Sequence, residues 1–308
     1  FLVMIKQILI TGGTGLVGRA LCQKLSEEGY SIAILSRNRK INGVKTFIWD
    51  YENDFIEDGA IEFADCIIHL AGESIASKRW TSKQKAKIRD SRIKSAEFLF
   101  ERIKNANKMP FRFISASAIG FYGGQTLNHI FTEADTVGND FLSETTNDLE
   151  ESVKKFNSIG ISYIICRLGI VLSKHGGALP KMIMPIHYGF GSGLGKGLQY
   201  MPWISLYDLV RLFHFVLEKS EANEIYNAVT PNFISNNEFN KQLARILNKP
   251  FFMPNIPAIL IKIALGEMSI ILLEGSRVSS DKIKAAGFEF KHKTLNSFME
   301  SEKKPLTN

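Results

Sequence analysis

The feature of this sequence that most constrains its fold is a glycine-rich turn between a short apolar run and a helical pattern. The apolar run covers residues 8–10, and the turn that follows reads Thr11, Gly12, Gly13, Thr14, Gly15, Leu16, Val17 and Gly18. A helix that begins at such a turn has free N–H groups that can bind phosphate. Gly12 permits the sharp turn, Gly15 lets a pyrophosphate approach the backbone, and Gly18 allows the helix to pack closely on the strand. The turn therefore predicts dinucleotide binding, and the alternative is a glycine turn without a ligand.

Strands and helices alternate through the first 170 residues. Short apolar runs predict strands at residues 8–10, 31–35, 46–49, 66–70, 111–115 and 162–166. Amphipathic patterns between them predict helices, among them 17–28, 83–105 and 146–158. Strands that are apolar on both faces indicate a parallel sheet covered by helices on each side. We therefore predict an α/β protein with a Rossmann-type, doubly wound parallel sheet and a smaller, mostly helical C-terminal lobe.

The pattern changes after residue 170. Residues 176–197 are rich in glycine, which predicts a long loop or an irregular hairpin. Residues 203–220 return to a strand and a helix, 224–229 fit a further strand, and prolines separate short helices beyond residue 230. We predict an NAD(P)-binding Rossmann domain over residues 1–170, with additions to its sheet from about 203–230. Residues 171–202 and 231–308 would form the substrate lobe.

Composition excludes several classes of protein. A hydrophobic content of 45% with 22% charged residues is ordinary for a globular chain and excludes disordered, collagen-like and disulfide-scaffold proteins. The 38 Lys and Arg exceed the 31 Asp and Glu by 7, but no long basic tail is present. A modest excess of this kind usually solvates the surface. We therefore expect no nucleic-acid partner.

The cysteines and the apolar segments indicate the compartment. The three cysteines have no spacing typical of disulfides or metal sites, which predicts reduced thiols at Cys22, Cys66 and Cys166. No signal peptide is visible ahead of the first strand. The apolar stretch 256–273 is interrupted by Lys262, Gly266 and Glu267, which favours a buried helix pair over a membrane span. We expect a soluble, cytoplasmic protein without a membrane partner, and a homodimer remains open.

Several segments resemble the extended short-chain dehydrogenase/reductase superfamily. The glycines are spaced G-x-x-G-x-x-G, and later segments match the ends of the superfamily's fourth, fifth and sixth strands. These segments are Ile67-Ile68-His69-Leu70-Ala71-Gly72, Ile114-Ser115-Ala116-Ser117 with Phe121-Tyr122-Gly123, and Cys166-Arg167-Leu168-Gly169. The resemblance implies the Rossmann fold and binding of a nicotinamide dinucleotide.

A narrower resemblance is to the NAD-dependent epimerase/dehydratase-like proteins sometimes called SulA-type, an atypical group of the superfamily. It rests on Leu70-Ala71-Gly72-Glu73, Arg79-Trp80, Asp90-Ser91-Arg92, the run 115–120, Trp203-Ile204, Asp208-Leu209-Val210 and the run 285–290. The resemblance covers essentially the whole chain. It implies a cofactor set comprising the turn 11–18, Ser36, Arg37, Asp50, Leu70, Ala71, Gly72, Ser115 and Arg167.

The end of the second strand predicts which dinucleotide binds. An acidic residue at this place binds the adenosine ribose and repels a 2′-phosphate, and a basic residue does the reverse. The chain has Ser36 and Arg37 here, followed by Asn38, Arg39 and Lys40, without an acidic residue. Arg37 offers a permanently charged fork for phosphate. We predict NADP(H) rather than NAD(H), and the alternative is that Arg37 only solvates the strand end.

The resemblance also shows where the usual catalytic residues are missing. Superfamily members use Tyr-x-x-x-Lys as an acid-base pair, and the corresponding positions here are close to Leu142 and Thr146. Tyr122 is one candidate replacement, with Ser115 or Ser117 holding a substrate oxygen. The alternative, which we favour, is that Tyr122 only packs beside the cofactor.

A second candidate set would contact the substrate and comprises Glu73, Arg79, Ser91, Arg92 and Trp203. The guanidinium groups of Arg79 and Arg92 suit an anionic substrate, whereas the neighbouring lysines fit a solvated helix face. The histidines are scattered without metal-ligand spacing, so we predict no metal. These residues suggest an NADP-dependent oxidoreductase or epimerase acting on a small polar or nucleotide-sugar-like substrate. The alternative is an NADP(H)-sensing module that has lost catalysis and binds a protein partner.

Overall fold

The computed structural model describes residues 5–37, 43–125, 128–219 and 222–302. The strands in these ranges are β1 (Gln7–Thr11), β2 (Ser31–Ser36), β3 (Lys45–Asp50), β4 (Phe55–Ile56), β5 (Cys66–His69), β6 (Arg112–Ala118), β7 (Ile130–Phe131), β8 (Ser162–Leu168), β9 (Ile170–Ser173), β10 (Gly176–Gly177), β11 (Trp203–Ser205), β12 (Glu224–Ala228) and β13 (Arg277–Val278). The α-helices are α1 (Leu16–Glu27), α2 (Ala60–Phe63), α3 (Ser82–Lys104), α4 (Phe141–Lys154), α5 (Leu179–His187), α6 (Leu206–Glu218), α7 (Asn236–Ile246), α8 (Ala258–Leu265), α9 (Ile270–Leu273), α10 (Asp281–Ala285) and α11 (Leu295–Ser301). Short 3-10 helices lie at Ile119–Tyr122, Lys155–Ile159 and Gly266–Ser269.

The central sheet has the order β12-β8-β6-β5-β1-β2-β3-β4. Its neighbours pair in parallel, except for the short β4, which is antiparallel to β3. The chain moves outward from β1 to β3 and then continues on the other side of β1 with β5, β6, β8 and β12. The strand order therefore reverses between β1 and β5, the place where doubly wound sheets form a ligand crevice at the carboxyl ends of their strands. The predicted fold class is confirmed.

Helices cover both faces of the central sheet, because successive residues of a strand point to opposite sides. Ile8 and Ile10 lie in one core with α1 and α6, and Leu9 lies in a second core with α3 and α4. The cysteines predicted as thiols are unbonded and buried in the first core, at Cys22, Cys66 and Cys166. A third core joins α5, α7 and α11.

The segment before α11 returns to the first core, whereas α11 itself packs in the third. Ile283, Phe288 and Phe290 pack in the core that contains α1 and α6. Asp208, buried at the start of α6, accepts the backbone N–H of His292 at 2.8 Å. The predicted division of the chain into lobes at residues 171 and 231 stays a prediction.

Helix α4 begins earlier than the predicted 146–158. Asp140 and Ser143 form a capping box, in which the Asp140 carboxylate accepts the N–H of Ser143 at 2.9 Å and the Ser143 hydroxyl accepts the N–H of Asp140 at 2.8 Å. This reciprocal pairing satisfies N–H groups at the first turn and fixes the start of the helix at Phe141. Beyond Lys154 the helix tightens into the 3-10 turn Lys155–Ile159.

The glycine-rich segment 176–197, predicted as a long loop or an irregular hairpin, begins with a short antiparallel pairing of β10 with β9 and is not one continuous loop. It contains β10 and then α5, which tolerates Pro180 because the first turn of a helix needs no N–H there. The remaining loop is fixed by backbone pairing, since Gly195 donates to Ile256 and Ile256 donates to Gly193, each at 2.9 Å. These bonds hold the segment against residues 250–258.

The apolar stretch 256–273 contains the two predicted helices, α8 and α9, but the prediction that they are buried is wrong for α8, and α9 is only partly buried. Only Ile261 of α8 is buried, and Ile259, Leu260 and Ile263 are exposed. Sequence hydrophobicity indicates burial only when another element covers the helix. Within the described ranges, no helix has the length and apolar character needed to span a bilayer.

Candidate functional site

The turn between β1 and α1 is held by close packing at three of its glycines. Gly12 has a φ of +66°, and a Cβ there would lie 2.7 Å from the carbonyl oxygen of Leu70. A Cβ on Gly13 would lie 2.5 Å from the side chain of Ile34, and one on Gly18 would clash with the carbonyl oxygen of Gly12. Side chains are therefore excluded at these positions by the protein itself.

Gly15 differs from the other glycines of the turn. A Cβ at this position would meet only the carbonyl oxygen of Gly12, at 3.3 Å, so the opposite side is open. Gly15 is the N-cap of α1 and provides no side-chain cap, which leaves the N–H groups of Leu16 and Val17 without intrahelical partners. Accessible backbone N–H groups at the N-terminus of a helix are well suited to bind a diphosphate. The residues present therefore fit the pyrophosphate of a dinucleotide.

The adenosine end of the predicted site lies where β2 and β3 end. Arg37 is exposed directly after β2. Asp50, at the end of β3, accepts the side-chain amide of Asn53 at 2.7 Å and the backbone N–H of Glu52 at 3.0 Å. The Asn53 bond contributes most to lowering the pKa of Asp50, and the nearby charge of Arg37 lowers it further. Asp50 thus stabilises its own turn. Arg39 and Lys40 lie outside the described residues.

The ends of β1 and β5 are joined by hydrogen bonds through Thr11. Its hydroxyl accepts the N–H groups of Leu70 and Ala71 at 3.0 and 3.1 Å, which leaves its proton for Nδ1 of His69 at 2.9 Å. His69 therefore carries its own proton on Nε2, which donates to Ser95 at 3.2 Å. Burial lowers the pKa of His69 to about 4 and keeps the ring neutral.

The loop after β5 is also held from α3. The Ser91 hydroxyl accepts the N–H of Glu73 at 2.8 Å, and Arg92 donates to the carbonyl of Glu73 at 3.0 Å. The Arg92 guanidinium lies against Gly72, where a Cβ would be 3.1 Å from its central carbon. Burial lowers the pKa of Arg92. Ser91 and Arg92 therefore shape the loop from behind, so the predicted role of Arg92 as an open anion clamp has no geometric support.

Glu73 and Arg79 have more open surroundings. The Glu73 carboxylate accepts the Gln84 side-chain amide at 3.3 Å, and Arg79 is exposed with its guanidinium against Gly266. Lys85 spans from α3 to Glu267, with a nitrogen–oxygen distance of 2.6 Å. The start of α3 and the turn Gly266–Ser269 are thus in direct contact beyond β5.

A buried network occupies the ends of β6 and β8. The Ser117 hydroxyl donates to Oε1 of Glu150 at 2.7 Å, and Arg167 holds both oxygens of that carboxylate at 2.8 and 2.7 Å. Arg167 also donates to the Tyr122 hydroxyl at 3.0 Å, and this hydroxyl donates to Oδ1 of Asn227 at 2.7 Å. The hydrogen-bonding groups of the Ser117 and Tyr122 side chains are therefore engaged inside the protein.

Burial raises the pKa of Tyr122 to about 12, although Arg167 opposes the shift. A neutral, buried hydroxyl with both a donor and an acceptor partner favours the packing role of Tyr122 over acid-base catalysis. Ser115 is likewise fully buried, and its hydroxyl reaches only the carbonyl of Ala116, at 3.3 Å.

The positions that correspond to the usual Tyr and Lys lie on one face of α4, and the next residue on that face is Glu150. Leu142, Thr146 and Glu150 are spaced four residues apart, which places them on one side of the helix. Glu150 and Asn227 were not among the predicted site residues. The four-residue spacing from Leu142 and Thr146 was the available signal for Glu150, and the sequence offered no comparable signal for Asn227.

Trp203, predicted as a substrate contact, lies elsewhere. Its side chain is fully buried in the third core, with its ring centre 5.9 Å from that of Phe298. Because this side chain is fully buried, it is not accessible to a ligand bound beside the loop after β5. The described residues contain no group of three His, Cys, Asp or Glu side chains arranged to hold a metal ion.

The sequence matches two family models. The model of the NAD dependent epimerase/dehydratase family matches residues 8–228, and that of a domain of unknown function, DUF1731, matches 256–302. An epimerase family protein of Staphylococcus aureus (strain MRSA252) is 34% identical over 296 residues, which span 96% of this chain and 98% of that protein. One of Staphylococcus saprophyticus is 35% identical over 302 residues, with coverage of 96% and 98%.

Two solved structures are similar along nearly the whole chain. The human epimerase family protein SDR39U1 (isoform 2), with NADPH, has a TM-score of 0.85 and 26% identity, and the alignment covers 96% of this chain and 98% of the human one. A nucleoside-diphosphate sugar epimerase from Corynebacterium glutamicum has a TM-score of 0.77 and 27% identity, with coverage of 96% and 58%.

Proposed function

Because this chain belongs to the NAD dependent epimerase/dehydratase family, we propose that it binds NADP(H) across the carboxyl edge of its sheet. The observation that carries the proposal is the open backbone at Gly15, beside glycines that the protein itself packs tightly. The N–H groups of Leu16 and Val17 would hold the pyrophosphate, and the loop 70–72 would line the nicotinamide side. When bound, the cofactor supplies or accepts a hydride.

The preference for NADP(H) over NAD(H) is part of the same proposal. It is supported by the exposed guanidinium of Arg37 at the end of β2 and by the hydrogen bonds that engage the Asp50 carboxylate within its own turn. A planar, permanently charged fork is well suited to phosphate. The NADPH named with the human relative agrees with this choice.

For the reaction, we propose oxidoreductase or epimerase chemistry on a small polar substrate that carries an anionic group. The supporting feature is the segment after β5, which carries the exposed guanidinium of Arg79 and the half-buried carboxylate of Glu73. Arg79 would hold the anionic group by paired hydrogen bonds. Nucleotide sugars fit this description, and the Corynebacterium relative is named as an epimerase of such compounds.

A second candidate is a binding module that senses NADP(H) without turnover. The observation that favours it is the buried network in which Ser117 and Tyr122, predicted for catalysis, are hydrogen-bonded to the ion pair of Glu150 and Arg167. A group engaged in this way is poorly placed to exchange a proton with substrate.

Calorimetry with NADPH and NADH, followed by a nicotinamide-absorbance assay on carbonyl compounds and nucleotide sugars, tests both candidates. The variant Arg79→Ala is matched by Lys78→Ala, an adjacent exposed cation. Turnover that is lost in Arg79→Ala, with NADPH affinity retained and Lys78→Ala active, supports the enzyme. Tight NADPH binding without turnover supports the sensor. If neither nucleotide binds, the proposed cofactor site is wrong.

A further inference from the structure

A cluster of exposed apolar side chains lies away from the cofactor site, on α8 and on the segments that pack beside it. Ile259, Leu260 and Ile263 on α8 are 61%, 55% and 67% exposed, and the preceding Phe252 is 75% exposed. Positions 259, 260 and 263 share one side of the helix. The helix therefore presents an uncovered apolar surface at one end of the C-terminal lobe.

The segment that follows α5 extends this surface. Tyr188 and Phe190 are 71% and 64% exposed, and Gly191 beside them lies against Pro250 and Phe251. The pairing of residues 193 and 195 with Ile256 ties the same loop to the start of α8. We call this surface, defined by Tyr188, Phe190, Phe252, Ile259, Leu260 and Ile263, the apolar face.

The size of the apolar face argues against incidental exposure. Its six side chains expose on the order of 700 Å², more than the roughly 300–600 Å² of the largest apolar patch on a typical monomer. Surfaces of this size usually contact another molecule.

The charges around the apolar face indicate what that molecule is. Residues 179–198 and 249–266, which form the face, contain Lys181, Lys196, Lys249 and Lys262 but no Asp or Glu. The next acidic residue along the chain, Glu267, is already paired with Lys85. Aromatic and aliphatic side chains accompanied only by basic charges are typical of surfaces that lie in the headgroup region of an anionic membrane. Two copies of the chain joined through this face would instead bring like charges together.

We propose that the apolar face docks the protein peripherally on an anionic lipid bilayer. Ile259, Leu260, Ile263 and the rings of Phe190 and Phe252 enter the boundary between headgroups and acyl chains, and the lysines contact lipid phosphates. Composition alone predicted no membrane partner, because the apolar residues of α8 were expected to be buried. The inference is independent of which cofactor the protein binds.

Cosedimentation with vesicles tests the proposal. The full chain is mixed with vesicles of phosphatidylcholine alone or of phosphatidylcholine with phosphatidylglycerol, at low and high salt. We expect at least about tenfold stronger partitioning into the anionic vesicles, weakened by salt. Ile259→Ser combined with Ile263→Ser should reduce it about tenfold or more, since two exposed apolar anchors are removed. Lys262→Glu should reduce it about fivefold or more.

Matched controls are Phe55→Ser, an exposed aromatic on β4, and Lys104→Glu, an exposed lysine at the last residue of α3. Both should partition like the unmodified protein. Light scattering after gel filtration reports the oligomeric state of each variant. The proposal is overturned if neither vesicle binds the protein, if both bind it equally, or if the serine variant converts a dimer of the free protein to a monomer without any vesicle binding.

Discussion

Arg167 and Glu150 form a buried bidentate ion pair between β8 and α4, with Nε 2.8 Å from Oε1 and Nη2 2.7 Å from Oε2. The same guanidinium lies over the ring of Phe121, with its central carbon 3.5 Å from the ring centre. Ser117 and Tyr122 bond to this pair from opposite sides. One ion pair therefore orders the region where relatives with Tyr-x-x-x-Lys exchange a proton.

Breaking this pair should destabilise the protein strongly. Glu150→Gln or Arg167→Met should each lower the free energy of unfolding by about 3–5 kcal/mol, because each leaves a buried charge or its partners unpaired. The double variant should lose clearly less than the sum of the two. Urea denaturation measures all four proteins. The exposed pair Asp90 and Lys94 is the control, and its removal should leave the stability nearly unchanged. Additive losses at Glu150 and Arg167 would contradict the prediction.

Gly15 should be required for the cofactor and not for the fold. Gly15→Val should weaken NADPH binding at least about tenfold, because hydrogen bonds to a charged phosphate contribute about 1.5–3 kcal/mol each. Its apo unfolding temperature should stay close to that of the unmodified protein, since only the Gly12 carbonyl is near. Gly18→Val should instead lower that temperature. Calorimetry and thermal unfolding check both, and near-native NADPH affinity in Gly15→Val would count against the pyrophosphate position.

Arg37 should distinguish the two dinucleotides. Arg37→Glu should weaken NADPH binding by about 1.5–3 kcal/mol, the contribution of a charge-assisted pair with phosphate, and leave NADH binding nearly unchanged. Arg245→Glu, an exposed arginine on α7, makes the same change in net charge away from the site. Titration calorimetry at physiological salt measures both ligands. Equal affinity of the unmodified protein for NADH and NADPH would refute the assignment.

His69 should make stability depend on pH. Its pKa is about 4 in the folded protein because of burial, against about 6.5 in an unfolded chain. Between these values the unfolded state binds more protons, so stability falls as the pH is lowered from 6.5 towards 4. At pH 5 the loss relative to pH 7 is about 2 kcal/mol.

His69→Gln should remove this part of the pH dependence. Urea denaturation at pH 5 and pH 7 gives the difference for each protein, and the contribution of His292, which burial also affects, cancels between them. The same change in stability between the two pH values for both proteins would show that His69 does not titrate as the structure implies.

Restoring the usual catalytic pair should not create activity. Leu142→Tyr with Thr146→Lys introduces the side chains, but Ser117 remains bonded to Glu150 on the same face of α4. A proton relay requires hydrogen-bond reach to the substrate. We expect no gain of NADPH oxidation on the carbonyl panel. A large gain would show that the pocket is ready for ordinary reductase chemistry.

The sequence was sufficient for the sheet and the phosphate turn because both depend on local patterns. Short runs that are apolar on both faces favour buried parallel strands, and the glycine spacing acts within eight residues. The start of α4 also depends on a local pattern, because the capping box is formed by Asp140 and Ser143, three residues apart.

The buried network was not predictable in the same way. Asn227 meets Tyr122 across 105 residues of chain, and Glu150 on an amphipathic helix has the same sequence character as a solvated carboxylate. The register of the sheet brings these groups together, since Arg167 in β8 is paired with Ser117 in β6 and with Asn227 in β12. The prediction for α8 was wrong in the opposite sense, because its apolar residues indicated burial but Ile259, Leu260 and Ile263 are exposed.

The position of Ile283, Phe288 and Phe290 in the core around α1 affects how the chain folds as it is made. Domains generally fold as units during synthesis. Here the first core stays open on one side until residues 283–290 have left the ribosome, and the bond from the N–H of His292 to the Asp208 carboxylate forms after that. A chain that stops after β12 therefore exposes the apolar surface around α1 and α6, and we expect it to aggregate.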